Sequence, residues 1–136
     1  MKFLEVTSQD RLLVQAAIEV ITRAYREERH TVGAAVLCGS GTIYTGVNVD
    51  SCGYGPCAEP IAIGTAVSQG EREFVTIVAV GGWNTRYPVL PPCGNCRQLL
   101  WDYAPKATVL LGKNDTLIKV SIADLLPQAY RNFYDD

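Results

Sequence analysis

The chain has 136 residues, a formal net charge of −2, 48% hydrophobic and 19% charged residues, and five cysteines. A chain of this length buries about two thirds of its unfolded surface, so it needs no cross-links to fold and its cysteines are expected as reduced thiols in a cytoplasmic protein. The weakly acidic balance offers no basic stripe for a nucleic-acid polymer. The opening residues lack the apolar core of a signal peptide, and no apolar run approaches the ~20 residues of a membrane span. The expectation is one domain over residues 1–136.

Residues 8 to 29 carry Leu12, Ala16, Val20 and Ala24 with Leu13, Ala17, Ile21 and Tyr25 alongside, while Arg11, Gln15, Glu19 and Arg26 lie opposite. This stripe predicts a helix entered through Ser8 or Asp10 as cap. Two β-rich runs at 32 to 38 and 42 to 47 flank Gly39-Ser40-Gly41 and read as a hairpin. Residues 48 to 56 form a glycine-rich loop.

Residues 58 to 70 predict a mostly apolar, buried helix, with Pro60 tolerated in its first turn. The nearly unbroken apolar run 74 to 80 has the pattern of a central strand covered on both faces. A turn-rich loop at 81 to 92 leads to a helix over 93 to 103, a buried strand over 107 to 111 and a short strand over 117 to 120. Ser121 with Asp124 then caps a last short helix. The order α-β-β-α-β-α-β-β-α predicts an α/β fold of three layers, α-β-α, around a mixed five-stranded sheet.

Two short segments carry the chemistry: Cys57-Ala58-Glu59 and Pro92-Cys93-Gly94-Asn95-Cys96, each at the start of a predicted helix. Together they supply three thiolates and a carboxylate, the inventory of a catalytic zinc site. Zinc held by three protein ligands keeps one position for water and lowers its pKa to about 7. Glu59 would be the proton carrier. Cys93 and Cys96 face the same side of a first helical turn, so Cys57 must arrive from another element. Helix N-termini stabilise thiolates at such positions. Other arrangements use the same residues. Cys93 and Cys96 could form a redox dithiol, or half of a closed structural zinc site completed by His30, Cys38 or Cys52, and Glu59 could be a solvated glutamate favoured by the helix dipole.

A carboxylate two residues after the first ligand, followed by Pro-Cys-x-x-Cys, is the zinc nucleobase deaminase signature. The chain resembles the cytidine deaminase superfamily, in particular its small three-cysteine branch of free-nucleoside cytidine deaminases and blasticidin S deaminases. The likeness runs through Val32-Gly33-Ala34-Ala35, Tyr44-Thr45-Gly46-Val47-Asn48-Val49, Cys57-Ala58-Glu59, Pro92-Cys93-Gly94-Asn95-Cys96-Arg97-Gln98 and Leu125-Leu126-Pro127.

This resemblance implies a zinc-dependent deaminase with Cys57, Cys93 and Cys96 as ligands and Glu59 shuttling protons to the ring nitrogen and the leaving ammonia. It also implies Asn48 and Asp50 at the ribose, Ala58 at the substrate, and His30 near the place of a stacking phenylalanine. Tyr130, with Phe133 and Tyr134 behind it, falls where an aromatic reaches the site, often that of a neighbouring subunit. A homotetramer serving pyrimidine salvage is the implied setting. Cytidine and deoxycytidine are the first substrates expected. The short loop Gly53-Tyr54-Gly55-Pro56-Cys57 resembles the blasticidin enzymes instead, which makes blasticidin S, or a related cytosine compound, the alternative. A non-catalytic protein stabilised by zinc is a third reading. Pro60 stands where many relatives have arginine and Asn95 where blasticidin enzymes are basic. That leaves helix N-termini and Arg97 to offset the thiolate charge.

Overall fold

The computed structural model describes residues 1–131. Helix α1 (Ser8–Ala24) begins one residue earlier than its apolar stripe suggests, with Thr7 as N-cap. The Thr7 hydroxyl accepts the Asp10 N–H at 3.2 Å, and the Asp10 carboxylate accepts the Thr7 N–H at 2.9 Å. Asp10 therefore closes a capping box from inside the helix rather than capping it, and Lys119 Nζ reaches the same carboxylate at 3.0 Å. The helix stops at Ala24, short of residue 29. There the chain turns, Arg26 pairing with His30 and Glu28 lying in the left-handed region at φ +66°, a conformation that helix cannot continue through.

Five strands follow the expected positions: β1 (Val32–Cys38), β2 (Ile43–Val47), β3 (Phe74–Gly81), β4 (Thr108–Lys113) and β5 (Thr116–Ser121). Their order across the sheet is β2-β1-β3-β4-β5. Strand β1 is antiparallel to both β2 and β3, β4 runs parallel to β3, and β5 is antiparallel to β4. A parallel pair requires a crossover, and the chain between β3 and β4 contains helix α3 (Gly94–Tyr103). Helix α2 (Ala58–Ser68) and the short α4 (Ile122–Leu125) complete the set. The sheet is mixed and five-stranded, as the sequence predicts.

Alternation along the central strands divides the core in two. Ala35 and Leu37 of β1 and Val78 and Val80 of β3 join Leu13, Ala17 and Ile21 of α1. Ala34, Val36 and Cys38 pack on the opposite face with Ala58, Ala62 and Ala66 of α2, Leu100 of α3 and Ile122 of α4. Residue Val75 is skipped where Leu37 pairs with Thr76 and Cys38 with Phe74. That bulge explains how Phe74 and Ile77, three apart, point into one cluster.

Two glycines set the spacing between layers. A Cβ on Gly33 would strike the Ala17 carbonyl oxygen and lie 2.8 Å from Ile21 Cβ; one on Gly46 would lie 2.6 Å from the Ala62 nitrogen. Helix α1 therefore sits directly on β1, and α2 directly on β2. At the last helix, the Ser121 hydroxyl accepts the Ala123 N–H at 3.2 Å, so Ser121 is the cap. Asp124 takes no part in that cap as a partner of Ser121; its carboxylate accepts the Lys2 N–H at 3.3 Å. No helix among the described residues is long and apolar enough to cross a membrane.

Candidate metal centre and substrate cavity

Helices α2 and α3 begin beside each other. Cys57 is the N-cap of α2 and Cys93 the N-cap of α3, while Cys96 lies one turn into α3. The three sulfurs are all within 4.8 Å of one another, with Cys57 Sγ 3.6 Å from Cys93 Sγ and Cys93 Sγ 3.4 Å from Cys96 Sγ. Tetrahedral zinc with Zn–S bonds of about 2.3 Å puts its sulfurs about 3.8 Å apart, so the donor set fits zinc in both identity and spacing. Among the described residues, no fourth His, Cys, Asp or Glu joins the group. Cys38 is buried under α2, and Cys52 is exposed on the loop before it.

The thiols differ in their protonation. Burial raises Cys57, and Cys93 and Glu59 add to the effect. Burial raises Cys96 still more strongly, with Glu59 contributing through its charge. Burial also pulls Cys93 upward, but the Cys96 N–H, the neighbouring thiols and the Asn95 N–H outweigh it, leaving Cys93 below the ordinary thiol value. Hydrogen-bond donors at a helix start favour the anion, as expected. A bound divalent ion would draw all three to thiolates.

Glu59, in the first turn of α2, is only 5% exposed. Burial lifts its carboxyl above the usual glutamate range, against the opposing pull of its own backbone N–H and the Cys96 thiol. A solvated helix-start glutamate is thereby excluded. Arg97, in contrast, is not aimed at the sulfurs: Nε donates to the Pro92 carbonyl at 2.8 Å and an Nη donates to the Leu125 carbonyl at 3.0 Å. It ties the start of α3 to α4. Charge compensation falls to the two helix N-termini.

A cavity of about 210 Å³ opens onto the cluster, lined by Cys57, Ala58, Glu59 and Cys93 together with Asn48 and Asp50. Val32, Ala79, Leu90 and Pro91 supply apolar walls that sequence reading did not single out. Leu90 belongs to the loop predicted as turn-rich; its N–H donates to the Ala79 carbonyl at 2.9 Å, which clamps that loop along β3. The signal available was the apolar Val89-Leu90 pair leading into Pro91-Pro92.

The remaining expected residues separate. Asn48 Oδ1 accepts the Thr31 and Val32 N–H groups at 2.7 and 3.0 Å. Two backbone donors fix which amide atom is oxygen, leaving Nδ2 with only a 3.4 Å contact to Thr31 Oγ1. Asp50 is exposed and accepts the Ser51 N–H. His30 Nδ1 lies 2.9 Å from the Asn48 carbonyl oxygen, an acceptor, so Nδ1 carries the hydrogen. His30 does not line the cavity; it holds the residue that does. Tyr130 is 75% exposed, and its contribution here is a carbonyl that accepts Gln98 Nε2 at 3.0 Å. It does not line the cavity of its own chain. Phe133 and Tyr134 lie outside the described residues.

A helix-covered mixed sheet that brings two helix starts to three sulfurs and a buried carboxyl defines a zinc-binding α/β protein. The chain matches the cytidine and deoxycytidylate deaminase zinc-binding region over residues 7–112. It is 41% identical to a blasticidin-S deaminase of Bacillus cereus, covering 96% of this chain and 98% of that one. It is 37% identical to a cytidine deaminase of Halalkalibacterium halodurans, covering 88% and 92%. The crystal structure of a cytidine deaminase from Burkholderia pseudomallei superposes with a TM-score of 0.76 at 33% identity, covering 92% of this chain and all of that one. The chain belongs to the cytidine and deoxycytidylate deaminase family of zinc-dependent hydrolytic deaminases.

Proposed function

We propose that the protein hydrolyses the exocyclic amine of a cytosine nucleoside, converting cytidine or 2'-deoxycytidine to the uridine counterpart and ammonia. The observation that carries this reading is the buried Glu59 carboxyl beside an open three-sulfur site at the base of a cavity. Its volume, about 210 Å³, lies below the roughly 300–1,000 Å³ of drug-sized sites and suits a small metabolite.

Zinc, when bound, lowers the pKa of a coordinated water toward about 7 and furnishes the nucleophile. Cys57, Cys93 and Cys96 would hold the ion, and Glu59 would take a proton from the attacking water and hand it to the ring nitrogen beside the amine-bearing carbon. The second water proton passes through Glu59 to the amine, the carbon–nitrogen bond breaks, and a carbonyl and ammonia remain. A carboxyl raised by burial is suited to holding a proton between these transfers. The walls Val32, Ala79 and Leu90 exclude water from the ring. Asn48 offers Nδ2 to a sugar hydroxyl, because its Oδ1 is committed to backbone, and Asp50 offers an acceptor in the same lining.

The test is ultraviolet assay of the purified, metal-analysed protein with cytidine, deoxycytidine, cytosine and blasticidin S. Glu59→Gln should retain zinc and lose on the order of 10²–10⁴ in turnover; unchanged turnover would leave zinc a purely structural role. Blasticidin S is the second reading, favoured by the 41% identity to the Bacillus cereus enzyme over nearly the whole chain. A homotetramer working in cytoplasmic pyrimidine salvage belongs to the same proposal, with residues 1–136 as one domain. Supporting association, the exposed face of α2 is small: Gly64 meets open space, and the Thr65 and Ser68 hydroxyls donate to carbonyls of their own helix. Light scattering on the eluted protein reads the assembly directly.

A further inference from the structure

The chain's single histidine, His30, is half-buried and stands behind the cavity rather than in its lining. Its main chain is pinned on both sides. The His30 N–H donates to the Arg26 carbonyl at 2.8 Å, and the His30 carbonyl accepts the Arg26 N–H at 2.9 Å. The ring therefore starts from a fixed origin.

From there Nδ1 meets one edge of a single peptide unit. The Asn48–Val49 unit presents its carbonyl oxygen to Nδ1 at 2.9 Å, and its N–H, on the other edge of the same plane, donates to the Pro56 carbonyl at 3.1 Å. A planar peptide held at both edges loses its freedom to rotate about the Asn48 ψ, and each bond in such a chain polarises the next. This unit lies just past the end of β2 at Val47, where the Asn48 N–H still reaches the Val32 carbonyl but only at 3.3 Å. The side-chain oxygen of Asn48 is taken by the Thr31 and Val32 N–H groups at 2.7 and 3.0 Å. Three consecutive residues, 30 to 32, thus set both the main chain and the side chain of Asn48. What the amide has left is Nδ2, whose direction depends on both anchors.

We infer that His30 is a positioning residue: by fixing the Asn48–Val49 peptide it aims the Asn48 Nδ2 donor at the sugar, and so sets affinity for the nucleoside without touching it. The inference rests on the deaminase reading, in which Asn48 meets a sugar hydroxyl. Its effect falls on binding rather than turnover, since Glu59 and the three sulfurs are carried by the starts of α2 and α3.

The experiment pairs two substitutions in the zinc-loaded protein. His30→Phe keeps a ring and removes the donor, whereas His30→Asn supplies a short-reach amide N–H in place of Nδ1. His30→Phe should raise KM for cytidine roughly three- to tenfold, the range of one hydrogen bond, while kcat stays within about twofold; His30→Asn should recover most of that loss. In an Asn48→Ala background the same His30→Phe change should add less than about twofold, because the donor it aims is gone. Zinc content and circular dichroism verify each variant. Nitrogen NMR of the neutral ring in the unsubstituted protein, which needs no turnover and no variant, should show the hydrogen on Nδ1. Hydrogen on Nε2, an unchanged KM in His30→Phe, or full additivity with Asn48→Ala overturns the positioning role while leaving the deaminase standing. Ammonia from no cytosine nucleoside overturns the deaminase reading and the positioning role with it.

Discussion

The two sides of the cavity are made differently. The sulfur side consists of two helix starts, with Cys57 and Cys93 as N-caps and Cys96 and Glu59 in first turns, all backed by the apolar cluster under α2 and α3. The other side is drawn from the loop at 48–56, with Asn48 half-buried and Asp50 exposed, and that loop is tied by backbone bonds to the turn at 26–30. Regular elements hold reacting groups within tight tolerances, whereas loops can vary in charge and length without disturbing the sheet. The proposed chemistry therefore uses the first side, and the proposed sugar contacts of Asn48 and Asp50 the second.

The sharpest way to break this contrast is on the sulfur side. Cys96→Ala should abolish zinc retention and deamination together, read by metal analysis and ammonia release, while a variant that keeps full zinc would remove Cys96 from the ligand set. On the loop side the effect should be graded. Asn48→Ala leaves the Thr31 and Val32 N–H groups without their acceptor, which costs about 1–3 kcal/mol of stability by chemical denaturation. It should also raise KM for cytidine more than it lowers kcat, since the contact proposed for the amide is to the sugar rather than to the reacting carbon.

Smaller effects test the framework that carries both sides. Thr7→Ala removes the cap of α1 and should cost about 0.5–2 kcal/mol, with kcat and KM unchanged, because α1 packs on the sheet face away from α2 and α3. Cys38 gives the mildest signature. Its burial, aided by the charge of Glu71, lifts its pKa from 9.0 to about 11, so the unfolded chain sheds that proton first as pH rises. Stability from this thiol is complete below pH 9 and declines toward pH 11, an effect that Cys38→Ala should remove from the pH dependence of the melting temperature.

The strands and helices were legible to within a few residues because their periodicities are local. Val32–Cys38 emerged with its observed limits, and the shared facing of Cys93 and Cys96 follows from helical spacing alone. Where reading erred, long-range pairing or unusual dihedrals were responsible. The cap of α1 is Thr7, since Asp10 serves the box from position N3 and also meets Lys119 from β5. The same helix ends early because of the Glu28 turn. Asp124 looks toward Lys2 instead of the Ser121 cap.

By itself, the amino-acid order determined the donor inventory, the two helix starts that carry it, and the alternation that makes a covered mixed sheet, all of which depend on neighbours a few positions apart. Only the tertiary structure decided that Cys57 meets Cys93 across 36 positions, that Arg97 serves two carbonyls rather than the thiolates, and that His30 braces Asn48 while Leu90 and Ala79 form the walls. Those relations follow from strand order and from how closely the helices settle on Gly33 and Gly46. They are contacts between distant segments, which no local period encodes.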